Sequence, residues 1–330
     1  MTRKKDFFHT GLDVSRSECQ AARRWNLPNP FGDEYYVDGT DGLDVGDGAK
    51  DYPFKTVQYA ITYQIAHNSG KGDSIYVLPG TYAESLTGAL TGVRLLGVGL
   101  TPNHVIIAPT DGGSYAGTLT DSIVSGFTFR SSSGTNTTYA AFRAENMYRS
   151  IFDSNILECG YDVDDACGFR IGLETEAATD LYWMQRSRIT NNLFGTRWSG
   201  MNFWYGISFG PCVTSSTYAK FQVMQDSIIG WNDVAAEING ILANVRYTTG
   251  SNALIRNNNV HGGLLYSGQC HEHGIRGYDR GHDNKLIKVY WNNISAQSDC
   301  ISGFVTQNVM GNIVGTGPGT GTPVDETMNN

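Results

Sequence analysis

A short asparagine-containing run recurs along the chain and constrains its fold more than any other feature. In SRITNNLFG (187–195), Asn191 and Asn192 interrupt an apolar, strand-like stretch, although asparagine is a poor strand former and is costly to bury unpaired. The related runs are LLGVGL (95–100), VSGFTF (124–129), FDSNIL (152–157), ITNNLF (189–194), IGWNDV (229–234), IRNNNV (255–260), YWNNIS (290–295) and VMGNIV (309–314). Their fourth residues are 29, 28, 37, 40, 26, 35 and 19 positions apart. Spacings of about 20 to 50 residues indicate a repeat architecture.

The composition of these units favours one kind of repeat. They are short, rich in β-branched and aromatic residues, and punctuated by glycine and asparagine. No helical pattern lies between them, which argues against leucine-rich and βαβ units. We therefore predict an all-β chain that folds as a right-handed, single-stranded parallel β-helix. Eight coils, one for each run, stack about 4.8 Å apart in such a solenoid.

Stacked coils explain why asparagine recurs in apolar runs. Asparagines at the same turn of successive coils can hydrogen bond to one another in a ladder, and asparagine tolerates the left-handed backbone of a sharp turn. We predict a structural ladder at the fourth position of each run, formed by Asn155, Asn192, Asn232, Asn258 and Asn293.

The ends of a solenoid need covers, because an open coil is an unpaired sheet edge. In DYPFKTVQYAITYQIA (51–66), apolar residues recur at helical spacing, so we predict a capping helix over about 53–66. Asp51 is the predicted N-cap, and Pro53 lies in the first turn. The predicted organisation is an N-terminal arm (1–34), the β-helix (35–314) and a Gly/Thr-rich tail (315–330).

Composition and charge exclude several classes of protein. The 40 glycines occur with 9 prolines and without a Gly-X-Y period, which excludes collagen. A formal charge of −8 argues against a nucleic-acid partner. No apolar run approaches the roughly 20 residues of a membrane helix, and the charged start MTRKKDFFHTGLD has no signal-peptide pattern. We expect cytoplasmic synthesis, no membrane insertion and no cofactor.

Three segments near the predicted helix resemble a known family. YYVDGTDG (35–42), GDG…YPFKTVQYAI (46–61) and GDSIYVLPGTYAE (72–84) are similar to the opening segment of pectate-lyase-like β-helix proteins, most of all phage tailspike and other virion β-helix proteins. The resemblance implies a virion protein, either a capsid-surface spike or decoration subunit or a short tailspike. It also implies a homotrimer, whose N-terminal arm binds other capsid or tail proteins and whose rod faces host polysaccharide.

Two other functions remain open at this stage. The same fold carries lyases, hydrolases and epimerases, so a carbohydrate-active lyase or glycoside hydrolase is one alternative. A non-catalytic cell-surface adhesion protein is the other. The catalytic candidates are Asp164, Asp165 and Glu174, because glycoside hydrolysis uses two carboxylates about 5 to 9.5 Å apart. A solvated acidic loop is the simpler interpretation. Of the polygalacturonase pattern, the chain has the Asp-Asp pair but lacks G-H-G and R-x-K.

Two further groups of residues are candidates for binding. Trp198, Phe203, Trp204 and Tyr205 form an aromatic cluster suited to glycan stacking, to a subunit interface or to packing of a loop on the rod. His271 and His273 are weak metal candidates, since no recognised ligand spacing surrounds them. No metal site is therefore predicted.

Overall fold

The computed structural model describes residues 32–68, 72–132, 140–159, 166–172, 182–195, 203–209, 222–243, 253–262, 273–277, 287–296, 299–302 and 309–316. One α-helix lies in these ranges, α1 (Val57–Asn68), with a 3₁₀ turn at Pro102–His104. The first ten strands are β1 (Glu34–Val37), β2 (Asp73–Val77), β3 (Gly80–Tyr82), β4 (Leu86–Thr87), β5 (Leu90–Thr91), β6 (Val93–Gly97), β7 (Val105–Ile107), β8 (Tyr115–Thr120), β9 (Ile123–Ser125) and β10 (Thr128–Ser131).

Nineteen further strands follow in the described ranges. They are β11 (Ala140–Tyr148), β12 (Ile151–Asp153), β13 (Ile156–Cys159), β14 (Cys167–Ile171), β15 (Tyr182–Gln185), β16 (Arg188–Thr190), β17 (Leu193–Phe194), β18 (Phe203–Phe209), β19 (Gln222–Gln225), β20 (Ile228–Gly230), β21 (Asp233–Ala243), β22 (Ala253–Arg256), β23 (Asn259–His261), β24 (His273–Gly277), β25 (Ile287–Tyr290), β26 (Asn293–Ala296), β27 (Asp299–Ser302), β28 (Val309–Met310) and β29 (Ile313–Thr316).

These strands form a parallel β-helix, as the sequence predicts. Sheet A has ten strands in the order β1-β2-β6-β9-β12-β16-β20-β22-β25-β28, and its neighbours pair in parallel. A second, 19-stranded sheet bends into sheet B, which includes β10, β13, β17, β23 and β26, and sheet C, which includes β8, β11, β14, β18 and β24. β21 runs through both. Sheet A contains two strands more than the eight coils expected, because β1 and β2 precede the first recognised run.

The core lies between the sheets and is built from columns of identical register. On sheet A, one inward column is fully buried over eight strands: Ile75, Leu95, Val124, Phe152, Ile189, Ile229, Ile255 and Val289. Burying each such side chain contributes about 1.5 to 3 kcal/mol. Repetition of this contribution along the rod stabilises a fold whose strands are only two to eleven residues long.

The asparagine ladder occurs at the corner between sheets A and B, with one member corrected. The amide Nδ2 of Asn192 donates to Oδ1 of Asn232 (3.0 Å), and the same contact joins Asn232 to Asn258 (3.0 Å). Asn258 then donates to Asn292 (2.9 Å) and not to Asn293, so the prediction of Asn293 was wrong by one position. Asn293 is exposed and donates to Asn259 instead. The ladder begins at Asn155 and continues to Asn312.

The left-handed backbone of this corner belongs to the residue before each ladder asparagine. Ser154, Asn191, Trp231, Asn257 and Trp291 have φ between 53° and 56°, whereas no ladder asparagine has a positive φ. The ladder residues therefore supply the hydrogen bonds, and the residues before them adopt the turn conformation. The expectation that one residue serves both needs was wrong.

A serine ladder, which the sequence analysis missed, forms the corner on the other side of sheet A. The backbone N–H of Ser122 donates to Oγ of Ser150 (3.1 Å), Ser150 to Ser187 (3.1 Å) and Ser187 to Ser227 (3.1 Å). The preceding residues again have positive φ: Asp121, Arg149, Arg186 and Asp226. Arg149 pairs with Asp121 at 2.5 Å, and this hydrogen bond raises the pKa of Arg149.

Helix α1 covers the N-terminal end of the core but begins later than predicted. Val57, Ala60 and Ile61 are fully buried, which agrees with the predicted apolar face. The first helical residue is Val57, so neither Asp51 nor Pro53 lies in the first turn. Thr56 accepts the N–H of Tyr59 as the N-cap (3.2 Å). Within the described ranges, no helix has the length and apolar character needed to cross a membrane.

Two carboxylates from distant segments set this helix start. Asp44 accepts the N–H groups of Lys55 (2.9 Å) and Thr56 (3.0 Å). Glu84 accepts those of Val57 (2.8 Å) and Gln58 (2.9 Å), where the helix dipole favours negative charge. The helix therefore begins where these acceptors bind its free N–H groups.

Candidate functional site

Part of the outer face of sheet C is buried. Ile207 and Ile241 point into the core, so the following residues, Ser208 and Leu242, point outward. Arg170 shares their register and is only 1% exposed. On sheet A, by contrast, outward side chains such as Ile151 remain partly exposed. A buried arginine outside the core marks this face as a candidate site, because charged groups are rarely buried without a purpose.

A small apolar cluster lies beside Arg170 and Ser208 on these strands. Ala140, Cys167, Tyr205 and Leu242 are buried together, with Trp204 and Ile238 packed against them, and the cluster is separate from the main core. It adjoins the bend between sheets B and C, where a column of glycines lets the two sheets approach. A Cβ atom added to Gly206 would lie 2.2 Å from Cγ1 of Val234, and one added to Gly240 would lie 2.0 Å from Cγ1 of Val260.

A β-bulge places a buried carboxyl group beside this cluster. Phe203 pairs with Ala236 and Tyr205 pairs with Asn239, so Glu237 and Ile238 together oppose the single residue Trp204. Glu237 is 3% exposed and Asn239 is 1% exposed. Both side chains have interaction partners and are not isolated polar groups. Bulges occur often next to active sites, where they re-aim a side chain.

Positive charge accompanies these groups along the strands. Arg143, Arg170 and Arg276 occupy the same outward register on β11, β14 and β24. Arginine stays protonated in proteins, so the column carries fixed charge at every physiological pH. His273 on β24 shares the register of Asn239. The face therefore combines donors, a buried carboxyl group and aromatic rings, a combination that suits a hydroxyl-rich ligand.

All three residues predicted to be catalytic, Asp164, Asp165 and Glu174, lie outside the described ranges. The binding candidates Trp198 and His271 also lie outside them. In the sequence, Asp165 comes two positions before β14 and Glu174 three positions after it. The strand between them carries Arg170. The catalytic assignment of these carboxylates stays a prediction.

The aromatic and histidine candidates that the structure describes differ in burial. Phe203 is fully buried in the main core, so it packs the rod and offers no face to a ligand. Tyr205 is buried in the second cluster, and Trp204 is partly buried against it. His273 is partly buried on β24. In the described residues, no group of three histidine, cysteine or acidic side chains is arranged to hold a metal ion.

Arg170, Glu237 and Asn239 were not predicted from the sequence, although a repeat pointed to their strands. The segments CGF (167–169), YGI (205–207), NGI (239–241) and HGI (273–275) each place a glycine before an inward apolar residue. Aligned, they bring Tyr205, Asn239 and His273 into one column and place Arg170 one residue after the motif. Glu237 lies in a bulge, and repeat alignment does not predict bulges.

Comparisons with known proteins concern the fold and leave the family undetermined. No family model matches the chain, and no curated protein matches it in sequence. A GH136 lacto-N-biosidase from Eubacterium ramulus is similar in structure, with a TM-score of 0.53 and 12% identity over 90% of this chain. The chain spans 57% of the length of that protein. The pectin methylesterase of rice weevil has a TM-score of 0.47 and 10% identity, with 90% of this chain and 87% of that one covered. A pectin methylesterase bound to a hexasaccharide has a TM-score of 0.45 and 15% identity, with 82% and 80% covered. The chain is a parallel β-helix protein.

Proposed function

We propose that this chain is a carbohydrate-active enzyme that binds a polysaccharide on the outer face of sheet C and cleaves it, as a glycoside hydrolase or a polysaccharide lyase. The observation that carries the proposal is the burial of two ionisable side chains on strands of sheet C: Arg170 on β14, and Glu237 in the bulge of β21 opposite Trp204. The similarity to a lacto-N-biosidase of the same fold is consistent with it.

Each group on this face has a chemical use in such a reaction. The guanidinium groups of Arg143 and Arg276 are planar donors that orient hydroxyl or carboxylate groups of a sugar. Glu237 is a candidate general acid, since a buried carboxyl group can protonate the leaving glycosidic oxygen. The second carboxylate of a hydrolase is then Asp164, Asp165 or Glu174. A lyase would instead need a base that removes a proton beside a uronate carboxylate.

The test is a turnover assay with paired variants. The full-length protein is incubated with neutral and uronic-acid polysaccharides, and new reducing ends are counted. Absorbance of unsaturated products separates a lyase from a hydrolase. We expect Glu237→Gln to lower turnover by at least about 100-fold, the usual contribution of general acid catalysis. Glu34→Gln changes an exposed carboxylate at the start of sheet A and serves as the control.

The same assay tests the remaining carboxylates. Asp164→Asn, Asp165→Asn and Glu174→Gln are compared one at a time, and circular dichroism checks that each variant folds. Loss of turnover in one of them, together with Glu237→Gln, identifies the pair. Wild-type protein that neither binds nor cleaves any polymer of the panel would contradict the proposal, as would full activity in all four variants.

The virion role is a second proposal, and the resemblance of the opening segments to virion β-helix proteins supports it. In this proposal the chain is a spike, decoration subunit or short tailspike, and it forms a homotrimer attached to capsid or tail proteins through the N-terminal arm. Cleavage of a host polysaccharide is compatible with that location. The native mass of the full-length and shortened chains tests the assembly.

A further inference from the structure

Two exposed tryptophans occupy backbone positions that disfavour them. Trp231 and Trp291 have φ of 56° and 53° and are 44% and 56% exposed. The left-handed conformation costs a bulky residue about 1 to 2 kcal/mol. Other coils place Ser154, Asn191, Asn257 or Gly311 at this corner, and most of these tolerate the conformation better. A strained, exposed aromatic residue, found twice, suggests a function for the side chain.

The two indoles lie in one line along the rod. The backbone N–H of Trp231 bonds to Arg256, that of Asn257 to Tyr290 and that of Trp291 to Met310, so the corners stack coil on coil. Asn257 separates the tryptophans, which places their backbones two coil spacings, about 9.6 Å, apart. We call Trp231, Arg256, Asn257, Tyr290 and Trp291 the Trp ridge.

Neighbouring residues support the indoles of the Trp ridge. The Arg256 guanidinium lies 4.5 Å from the ring centroid of Trp231, a cation–π contact. Trp291 packs over Gly311, where an added Cβ would lie 2.5 Å from Cδ1 of Trp291. The ring centroids of Trp291 and Tyr290 are 5.6 Å apart. The indoles are therefore held in place on one side while a large fraction of each stays exposed.

Two cations, Arg256 in the Trp ridge and Lys288 beside it, give this corner positive charge. Across the described ranges, neither Arg256 nor Lys288, which lies two residues before Tyr290 on the same face, pairs with a carboxylate. The nearby carboxylate of Asp233, on the sheet B side of the corner, already accepts from Asn259 and His261. A ligand that complements the ridge needs ring faces for the indoles and negative groups for the two cations.

We propose that the Trp ridge is a binding site for an anionic polysaccharide that runs along the rod, with sugar rings stacked on Trp231 and Trp291 and carboxylates paired with Arg256 and Lys288. The ridge lies at the corner of sheets A and B, so this site is distinct from the outer face of sheet C. It does not depend on the cleavage proposed there.

The decisive variant is Trp231→Asn combined with Trp291→Asn. Asparagine occupies the same corner at Asn191 and Asn257, so the double variant should fold at least as stably as the wild type. The probes are three uronate polymers, polygalacturonate, alginate and hyaluronate, with fully methyl-esterified polygalacturonate as the uncharged match. Tyr52→Asn removes an aromatic ring that is even more exposed (73%) but lies at the other end of the rod, and serves as the control.

We expect the wild type to bind at least one uronate polymer and the double variant to bind it at least about tenfold more weakly, with an unchanged or higher Tm. Arg256→Gln should remove the preference for the charged polymer over its methyl ester. Cleavage of short oligosaccharides on sheet C, where it occurs, should be unchanged in the double variant, so the two proposals fail separately.

Three results would overturn the proposal. The first is that no uronate polymer binds, and the second is that the double variant binds as tightly as the wild type. The third is that the methyl ester binds as well as the acid, which would contradict the anionic ligand. A double variant with a changed native mass and unchanged polymer affinity would make the Trp ridge a contact between copies of the chain.

Discussion

A buried asparagine of the ladder hydrogen bonds to the coils on both sides of it, as Asn232 shows. Asn232 Nδ2 donates to Asn258 Oδ1 (3.0 Å) and to the Ile189 carbonyl (2.9 Å). Its Oδ1 accepts from both the backbone N–H and the side chain of Asn192, at 3.0 Å each. One side chain thus satisfies buried groups on both adjacent coils, which is why a poor strand former recurs in apolar runs.

Replacement of Asn232 by alanine should therefore be far more costly than its volume suggests. At least two buried polar groups lose a partner, at about 1 to 3 kcal/mol each, so we expect the free energy of unfolding to fall by about 3 kcal/mol. Asn293→Ala removes an exposed side-chain contact and should cost within about 0.5 kcal/mol. Urea unfolding of the two variants measures the difference. Equal effects would contradict the corrected register.

The register of the asparagine ladder is encoded in the sequence, but adjacent asparagines obscure it at Asn293. Each true ladder residue follows an inward apolar residue by three positions: Phe152, Ile189, Ile229, Ile255, Val289 and Val309. Asn293 follows Tyr290 instead. Because the YWNNIS run contains two adjacent asparagines, alignment by asparagine alone leaves the register open, and the apolar residue three positions earlier decides it.

Glu84 gives the helix start a pH dependence. Burial raises the pKa of Glu84 and the charge of Asp44 adds to this, while the hydrogen bonds from Gln58 and Val57 oppose it. The folded state thus binds the proton more tightly than the unfolded state does. The contribution of Glu84 to stability is present below its pKa in the unfolded state and is lost as pH rises through its higher pKa in the folded state.

The expected result is a falling difference in unfolding free energy between the wild type and Glu84→Gln as pH rises from about 4 to about 7. Urea titrations at several pH values measure it, and the variant provides the reference because glutamine does not titrate. A difference that rises with pH would show that the helix N-terminus outweighs burial.

At the scale of elements, glycine determines how closely sheets B and C approach. Gly168, Gly206, Gly240 and Gly274 follow one another on successive strands of sheet C, and each would bring a Cβ against a core side chain of sheet B. The motif is visible in the sequence as CGF, YGI, NGI and HGI, yet its meaning depends on the bend. Glycine indicates close approach only when the opposing surface is known.

Gly240→Ala tests this approach. The new methyl group would lie 2.0 Å from Cγ1 of Val260 and 2.7 Å from the Gly274 carbonyl, so the strand or the valine must move. We expect a loss of about 1 to 3 kcal/mol, typical of overpacking. Gly80→Ala meets only the Tyr82 ring at 3.5 Å and should be nearly neutral. A neutral Gly240→Ala, measured by thermal unfolding beside this control, would mean that the bend is not tightly packed.

At the scale of the molecule, the fold is predictable from sequence and much of the candidate site is not. Stacked coils repeat the same contacts, so LLGVGL, VSGFTF and their relatives reveal the architecture without any single residue being decisive. Glu237 lies in a bulge of β21, and Arg170 is buried by the folded chain. Neither the bulge nor the burial of Arg170 has a local sequence pattern that predicts it. The predicted start of helix α1 was wrong for a similar reason, because Asp44 and Glu84 bind its first N–H groups from elsewhere in the sequence.

The homotrimer is the prediction that concerns the whole molecule, and its test depends on where the rod begins. The Asp33 N–H donates to Asp73 (2.8 Å), the Asp33 carbonyl accepts from Ser74 (2.9 Å), and β1 begins at Glu34. A chain shortened to residues 32–330 therefore removes most of the predicted arm and leaves the first strand intact. Light scattering on the full-length 36.0 kDa chain should give three times that mass, 108 kDa.

The shortened chain then locates the contacts between subunits. If it is a monomer with an unchanged Tm, the arm holds the trimer together. If it remains a trimer, the interface lies on the rod and leaves the arm available to bind a particle. Monomers at both lengths would contradict the homotrimer and would favour the proposed enzyme acting as a single chain.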